Sequence, residues 1–207
     1  MVRSAFTFIE LVFAIVLISI AVLSLPVMKQ VVSSNTESGL VQEAIFAAAT
    51  ELNEASTAHW DEGSIDAGLP NAYARVIDTN GLCETNSSSP RYKKMPGHVI
   101  EPLHRKCLAN DLGVLGTNTN NAVKALEDMA HLQRDIFLNP AVSKNAYKDT
   151  YKSTLTVTQN ASFGGTTNNK NIKKITVTIR NSKNKILSRL VSYSANIGEV
   201  DFYKKAY

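Results

Sequence analysis

The chain has 207 residues, of which 44% are hydrophobic, and it carries a net charge of +4. This length fits one domain of ordinary size with additional elements. The sequence has no CxxC pair, no GxSxG nucleophile elbow and no GxxxxGK[ST] phosphate loop. These absences argue against the commonest redox, hydrolase and nucleotide-binding sites, and we expect neither a catalytic residue nor a cofactor.

The first element in chain order is an apolar stretch from Phe6 to Met28. As a helix it would be about 30 Å long, which matches the hydrocarbon core of a bilayer. Arg3 precedes the stretch and no cation follows until Lys29, so we expect the N-terminus in the cytoplasm and the remainder outside. The small residue Ala5 lies before the stretch, whereas a secretory signal has its cleavage region after the apolar core. We therefore expect residues 6–28 to be retained as a transmembrane helix.

Glu10 is the one acidic residue within this stretch. A carboxylate in the middle of a bilayer costs on the order of 3 kcal/mol, so an acid within a membrane segment indicates a function. The alternative is that Glu10 lies near the membrane interface and reaches the headgroups.

The segment Ala5-Phe6-Thr7-Phe8-Ile9-Glu10-Leu11-Val12 resembles the class III signal of type IV prepilins and type II secretion pseudopilins. The resemblance implies that a prepilin peptidase removes residues 1–5 by cutting before Phe6, and that the new terminal amine is methylated. It also identifies Glu10 as the hallmark acid, five residues into the mature chain. The family usually has Gly before the cut, and Ala5 departs from that pattern, which bears on the efficiency of processing.

Such a cut would place an ammonium group in apolar surroundings, where a charge requires a partner. The Glu10 carboxylate of a neighbouring subunit would supply it and set the axial register of a filament, while Phe6 and Glu10 of one chain could pair before assembly. Pro26 is expected to kink or loosen the helix. The side chains expected to leave lipid for the filament core are Phe8, Leu11, Val12, Ile15 and Ile18.

Residues 29–58 continue the helical pattern as an amphipathic segment. The apolar positions of this pattern are Val31, Val32, Leu40, Val41, Ala44, Ile45, Ala48, Leu52 and Ala55, and we expect the apolar face to pack on a sheet.

Residues 59–121 are rich in Gly and Pro and predict an irregular region. Outside the cytoplasm its cysteines, Cys83 and Cys107, are expected to form a disulfide. A zinc site with His98 and His104 is the alternative, although its ligand spacing is poor.

Residues 122–207 are expected to form a second helix followed by strands. Apolar residues recur at helical spacing from Ala122 to Phe137, with Pro140 just beyond. Alternating runs then predict antiparallel strands over Thr154–Thr158, Lys174–Arg180 and Lys185–Ala195. The predicted fold class is α+β and pilin-like: a long N-terminal helix packed on a small antiparallel sheet, with a second helix inserted before the strands.

The segment from Ala141 to Tyr207 has 12 Lys and Arg against 3 Asp and Glu. A stripe of these cations could contact DNA or another anion, with nearby aromatic residues stacking on bases. The alternative is a solvated sheet face whose lysines keep strand edges from aggregating. The residues of the candidate stripe are Lys170, Lys173, Lys174, Arg180, Lys183 and Lys185.

The sequence thus favours a minor pilin or pseudopilin in a filament machine for protein secretion, DNA uptake (competence) or attachment. Its expected partners are other pilin-like subunits, the prepilin peptidase and an inner-membrane assembly platform, with the C-terminal domain in the periplasm. The alternative is a pilin-anchored adhesive or substrate-binding tip module. A membrane-anchored enzyme would need a cleft with perturbed titratable groups, and the sequence does not indicate one.

Overall fold

The computed structural model describes residues 7–65, 74–97, 105–108, 125–136 and 150–198. The chain divides into two compact units, Met1–Glu43 and Ala44–Tyr207. In chain order the described elements are helix α1 (Phe8–Ser56), a 3-10 helix (Glu62–Ser64), a second 3-10 helix (Leu126–Met129) and strands β1 (His131–Asp135), β2 (Lys152–Thr158), β3 (Ile172–Arg180) and β4 (Ile186–Ala195).

Helix α1 has 49 residues, and Pro26 lies inside it without ending it. Proline removes one backbone donor and crowds the preceding turn, so it commonly bends a helix without breaking it. The structure thus shows that α1 continues past Pro26. The kink expected at Pro26 stays a prediction.

The C-terminal part of α1 packs on the sheet through a narrow face made mostly of alanine. Ala44, Ala48, Glu51 and Ala55 are its buried residues. They recur at spacings of three and four residues, which places them on one side of a helix. Three alanines of the predicted apolar face are thus buried, whereas Ile45 is 43% exposed.

The sheet has the strand order β1-β2-β3-β4, and every neighbouring pair is antiparallel. The three strands that the sequence predicts are confirmed, and the α+β class is confirmed with them. Alternation divides β3 into two faces, because successive side chains of a strand point in opposite directions. Ile175, Val177 and Ile179 are fully or almost fully buried on the face toward the core.

The second helix predicted from Ala122 is wrong over the described residues 125–136. Leu126–Met129 form a single 3-10 turn, and His131–Asp135 pair with β2 as an edge strand. Of the apolar positions that suggested a helix, Leu126 is buried, whereas Leu132 is 88% exposed. The hydrogen bonds that this segment forms with the edge of β2 outweigh its local preference for a helix, since tertiary context routinely overrides local propensity.

The irregular region that follows α1 is tied to the sheet by side-chain hydrogen bonds. Asn196, just after β4, accepts from the backbone N–H of Ile77 at 2.9 Å and donates to its carbonyl oxygen at 2.6 Å. Val76, Met95 and Cys107 form a small apolar cluster against which Cys83 packs. Residues 74–97 consist of turns, bends and isolated bridges, and one of these bridges joins Val76 to Cys107.

Candidate functional site

The N-terminal part of α1 presents exposed apolar side chains. It is long and apolar enough to cross a membrane, and none of its most apolar 18-residue window is buried. The five side chains expected to form a filament core are all exposed, in fractions from 43% to 82%. They are Phe8, Leu11, Val12, Ile15 and Ile18.

Glu10 lies in the first turn of α1, on this exposed surface. Its carboxylate accepts a long hydrogen bond of 3.5 Å from the hydroxyl of Thr7. An acid in the first turn also interacts favourably with the helix dipole. The proposed cleavage residues, Ala5 and Phe6, lie outside the described residues, and their roles stay predictions.

The candidate DNA-binding stripe is not a single surface. Lys173 is only 1% exposed and lies on the core face of β3, which removes it from the stripe. Lys174 is on the opposite face, as alternation along a strand requires. The sequence reasoning grouped the two because they are adjacent, whereas adjacency in a strand separates side chains. The other residues of the stripe are exposed or half-exposed: Lys170, Lys174, Arg180, Lys183 and Lys185.

Lys173 is the centre of a buried ionic cluster. Its Nζ donates to Asp61 Oδ2 at 2.6 Å, to the carbonyl oxygen of Trp60 at 2.6 Å, and to Glu127 Oε1. The Nζ also lies 4.2 Å from the centre of the Trp60 ring, a favourable cation–π distance. The Lys173 and Asp61 side chains are 1% and 2% exposed. The cluster joins the segment after α1, the 3-10 turn before β1, and β3.

Glu51 is the centre of a second polar cluster, between α1 and strands β1 and β2. Its carboxylate contacts His131 Nε2 at 2.9 Å, Arg134 Nη2 at 3.2 Å and Ser153 Oγ at 3.2 Å. Burial alone raises the pKa of Glu51, but hydrogen bonds and charge from His131 and Arg134 outweigh it, and the pKa lies below its ordinary value. The carboxylate is therefore ionised and orients the edge strand on the helix.

The predicted disulfide between Cys83 and Cys107 is present. Because the two sulfur atoms are bonded to each other, neither cysteine can act as a thiolate ligand in the alternative zinc site. The described residues contain no group of three or more His, Cys, Asp or Glu side chains placed to hold a metal ion. The other two ligands considered for zinc, His98 and His104, lie outside those residues.

Sequence reasoning missed both buried clusters. Glu51 carried a signal, because it lies on the same helical face as Ala44, Ala48 and Ala55. Lys173 carried one as well, because it alternates in phase with Ile175 and Val177. A charged residue in phase with a buried face requires a partner. The identity of these partners could not be predicted from the sequence, because they are distant along the chain. Asp61 and Lys173, for example, are 112 residues apart.

Comparison with known proteins adds no assignment: no protein family, curated protein or solved structure matches this chain.

Proposed function

We propose that this protein is a minor pilin or pseudopilin, a structural subunit that enters a type IV pilus-like or type II secretion-like filament through α1. The observation that carries the proposal is the exposed apolar surface of α1 with Glu10 in its first turn. An apolar surface of this extent on a protein requires lipid or partner subunits to cover it. A filament of like helices supplies such partners after the subunit leaves the membrane.

In this proposal the protein is a structural subunit and acts on no substrate. Before assembly, residues 6–28 span the inner membrane once, and the C-terminal unit lies in the periplasm. A prepilin peptidase cuts before Phe6, and the new amine pairs with Glu10 of a neighbouring subunit. The presence of a disulfide between Cys83 and Cys107 supports the periplasmic placement, because such bonds persist in oxidising compartments.

The proposal is tested by Glu10→Leu in the native host, with Glu54→Leu as the matched control. Glu54 is an exposed glutamate of the same helix, outside the apolar segment. We expect Glu10→Leu to insert in the membrane normally but to fall by at least about tenfold in the filament fraction. Removing one partner of a desolvated charge pair leaves the other charge unpaired and costs about 3–5 kcal/mol, whereas about 1.4 kcal/mol already corresponds to a tenfold change. Equal incorporation of Glu10→Leu and Glu54→Leu would contradict the proposed register pair.

A second candidate is a pilin-anchored module that contacts DNA, and the outer face of the sheet favours it. Lys174 lies directly across from Tyr193, whose ring is 5.0 Å from that of Phe163. Cations beside aromatic rings suit a nucleic-acid strand. If this candidate is correct, Lys174→Gln weakens binding of an arbitrary-sequence DNA oligonucleotide and reduces its dependence on salt. Undetectable binding by the unaltered chain at low salt would exclude it.

A further inference from the structure

The buried cluster around Lys173 brings a primary amine against a carboxyl group away from water. Lys173 Nζ is 2.6 Å from Asp61 Oδ2, and both side chains are almost entirely excluded from solvent. The same amine also contacts Glu127 Oε1. The cluster therefore contains an amine nucleophile in direct contact with a carboxyl electrophile and with a second carboxyl group.

The two oxygens of Asp61 have different surroundings. Oδ1 accepts a hydrogen bond of 2.9 Å from the backbone N–H of Gly63, which holds the carboxyl group in one orientation. Oδ2 faces the Lys173 amine. A backbone N–H on Oδ1 would stabilise negative charge there during attack on the carboxyl carbon, as in an oxyanion hole. Oδ2 is then the oxygen placed to leave.

Glu127 is placed to carry protons. Its Oε1 touches the Lys173 amine, while its Oε2 is buried without a hydrogen-bond partner. A buried and unsatisfied carboxyl oxygen is costly for a group with only a structural role. Burial raises the pKa of Glu127 and outweighs the opposing effect of Lys173. A carboxyl group whose pKa is raised accepts a proton more readily than an ordinary carboxylate and can return it.

We propose that Lys173 and Asp61 form an intramolecular amide bond, an isopeptide bond, with Glu127 transferring the protons. The Lys173 ammonium gives one proton to Glu127, and the neutral amine attacks the Asp61 carboxyl carbon. A bond forms between Nζ and that carbon, and the bond from the carbon to Oδ2 breaks. Oδ2 leaves as water with two protons from the original ammonium. An ammonium and a carboxylate thus become a neutral amide and one water, and no oxidant or cofactor is needed.

Asp61 is a better electrophile here than Glu127. Its side chain is 2% exposed, against 17% for Glu127, so the water released is less readily returned. In Asp61, the backbone N–H of Gly63 also donates to Oδ1, the oxygen opposite the one that faces the amine. The bond would covalently link the segment that follows α1 to strand β3. It would reinforce the C-terminal unit whether or not the protein enters a filament.

The test is peptide mapping of the full chain, extracted from membranes, with the disulfide reduced and alkylated before digestion. Trypsin does not cut after an acylated lysine, so the bond changes the digest in a defined way. We expect residues 30–75, which contain Asp61, joined to residues 171–174, at a mass one water below the sum of the two peptides. Fragment ions should place the link at Asp61. Recovery of residues 30–75 and 171–173 as separate peptides only would overturn the proposal.

Variants test the roles of Lys173 and Glu127 by the presence and the rate of formation of the linked peptide. Lys173→Met must abolish the linked peptide, whereas Lys174→Met must retain it, with the second arm then extending to Arg180. Glu127→Gln should slow accumulation of the linked form after synthesis by about 100-fold or more, since general acid–base catalysis contributes factors of that order. A link at Glu127, or an unchanged rate in Glu127→Gln, would overturn the assigned roles.

Discussion

Replacement of Glu51 by glutamine tests whether the polar contact between α1 and the sheet stabilises the C-terminal unit. Glutamine keeps the volume of the side chain but removes the charge that His131, Arg134 and Ser153 surround. Hydrogen bonds to charged groups contribute about 1.5–3 kcal/mol each. Arg134 is 53% exposed, so solvent screening reduces its share to less than about 1 kcal/mol. Since contributions within one cluster are not additive, we expect a total loss of about 2–3 kcal/mol.

The effect is measurable in the full chain in detergent by denaturant unfolding, followed through the fluorescence of the single tryptophan, Trp60. Trp60 is buried in the C-terminal unit and reports on its unfolding. A loss of this size should also lower the melting temperature by about 5–10 °C in a domain of this length. The control is Glu54→Gln, an exposed glutamate one turn further along α1, for which we expect a change within about 0.5 kcal/mol.

The pH dependence of this difference has a definite sign. The folded-state pKa of Glu51 lies below its ordinary value of 4.5, so the ionised carboxylate favours the folded state. Its contribution is fully present above about pH 4.5 and is lost as the pH falls through the folded-state pKa. The unaltered chain and Glu51→Gln should therefore differ at neutral pH and converge in acid. A Glu51→Gln chain as stable as the unaltered one at pH 7 would refute the reasoning.

Three further substitutions test the other contacts of the C-terminal unit, each by the midpoint of denaturant unfolding. Cys83→Ser should cost about 3 kcal/mol, because the disulfide closes a loop across a sequence separation of 24 residues; no shift would contradict this. Lys173→Met should lower the free energy of unfolding by more than about 2 kcal/mol and Lys174→Met by less than about 0.5 kcal/mol, because of these two lysines only Lys173 is buried among carboxylates. Equal effects of the two substitutions would contradict the register of β3. Asn196→Ala should cost about 1–3 kcal/mol, because it leaves the buried N–H of Ile77 without its side-chain acceptor, and a neutral result would contradict that clamp.

The α+β class and strands β2, β3 and β4 could be predicted because periodic patterns encode them locally. Thr154–Thr158 and Lys174–Arg180 alternate with period two, and the turn Asn181–Asn184 fits between neighbouring strands. Asn184 has a positive φ of 63°, a conformation that asparagine tolerates better than most residues. These signals depend on a few adjacent residues, so they survive without knowledge of the tertiary structure.

The elements that could not be predicted depend on distant partners. His131–Asp135 resembled part of a helix because its apolar spacing is helical, yet it lies at the edge of β2. Lys173 resembled a surface cation until its register placed it among the buried side chains of β3. Both errors arise because the sequence shows spacing but not which face of an element another segment covers.

The candidate assembly site was predicted in a different way. The apolar stretch and Glu10 follow from composition and length, and the structure has an exposed helix there. Cleavage before Phe6 and pairing with a neighbouring subunit rest on the resemblance to prepilins, since Phe6 is outside the described residues and a single chain contains no neighbour.

The most direct test of the central claim is the N-terminal sequence and intact mass of the protein extracted from membranes, with and without a prepilin peptidase. The account predicts a mature chain that begins at a methylated Phe6 and retains the apolar helix, and an uncut chain when the peptidase is absent. A chain left uncut in the presence of the peptidase, or cut after Met28, would contradict the assignment to a pilin-like filament.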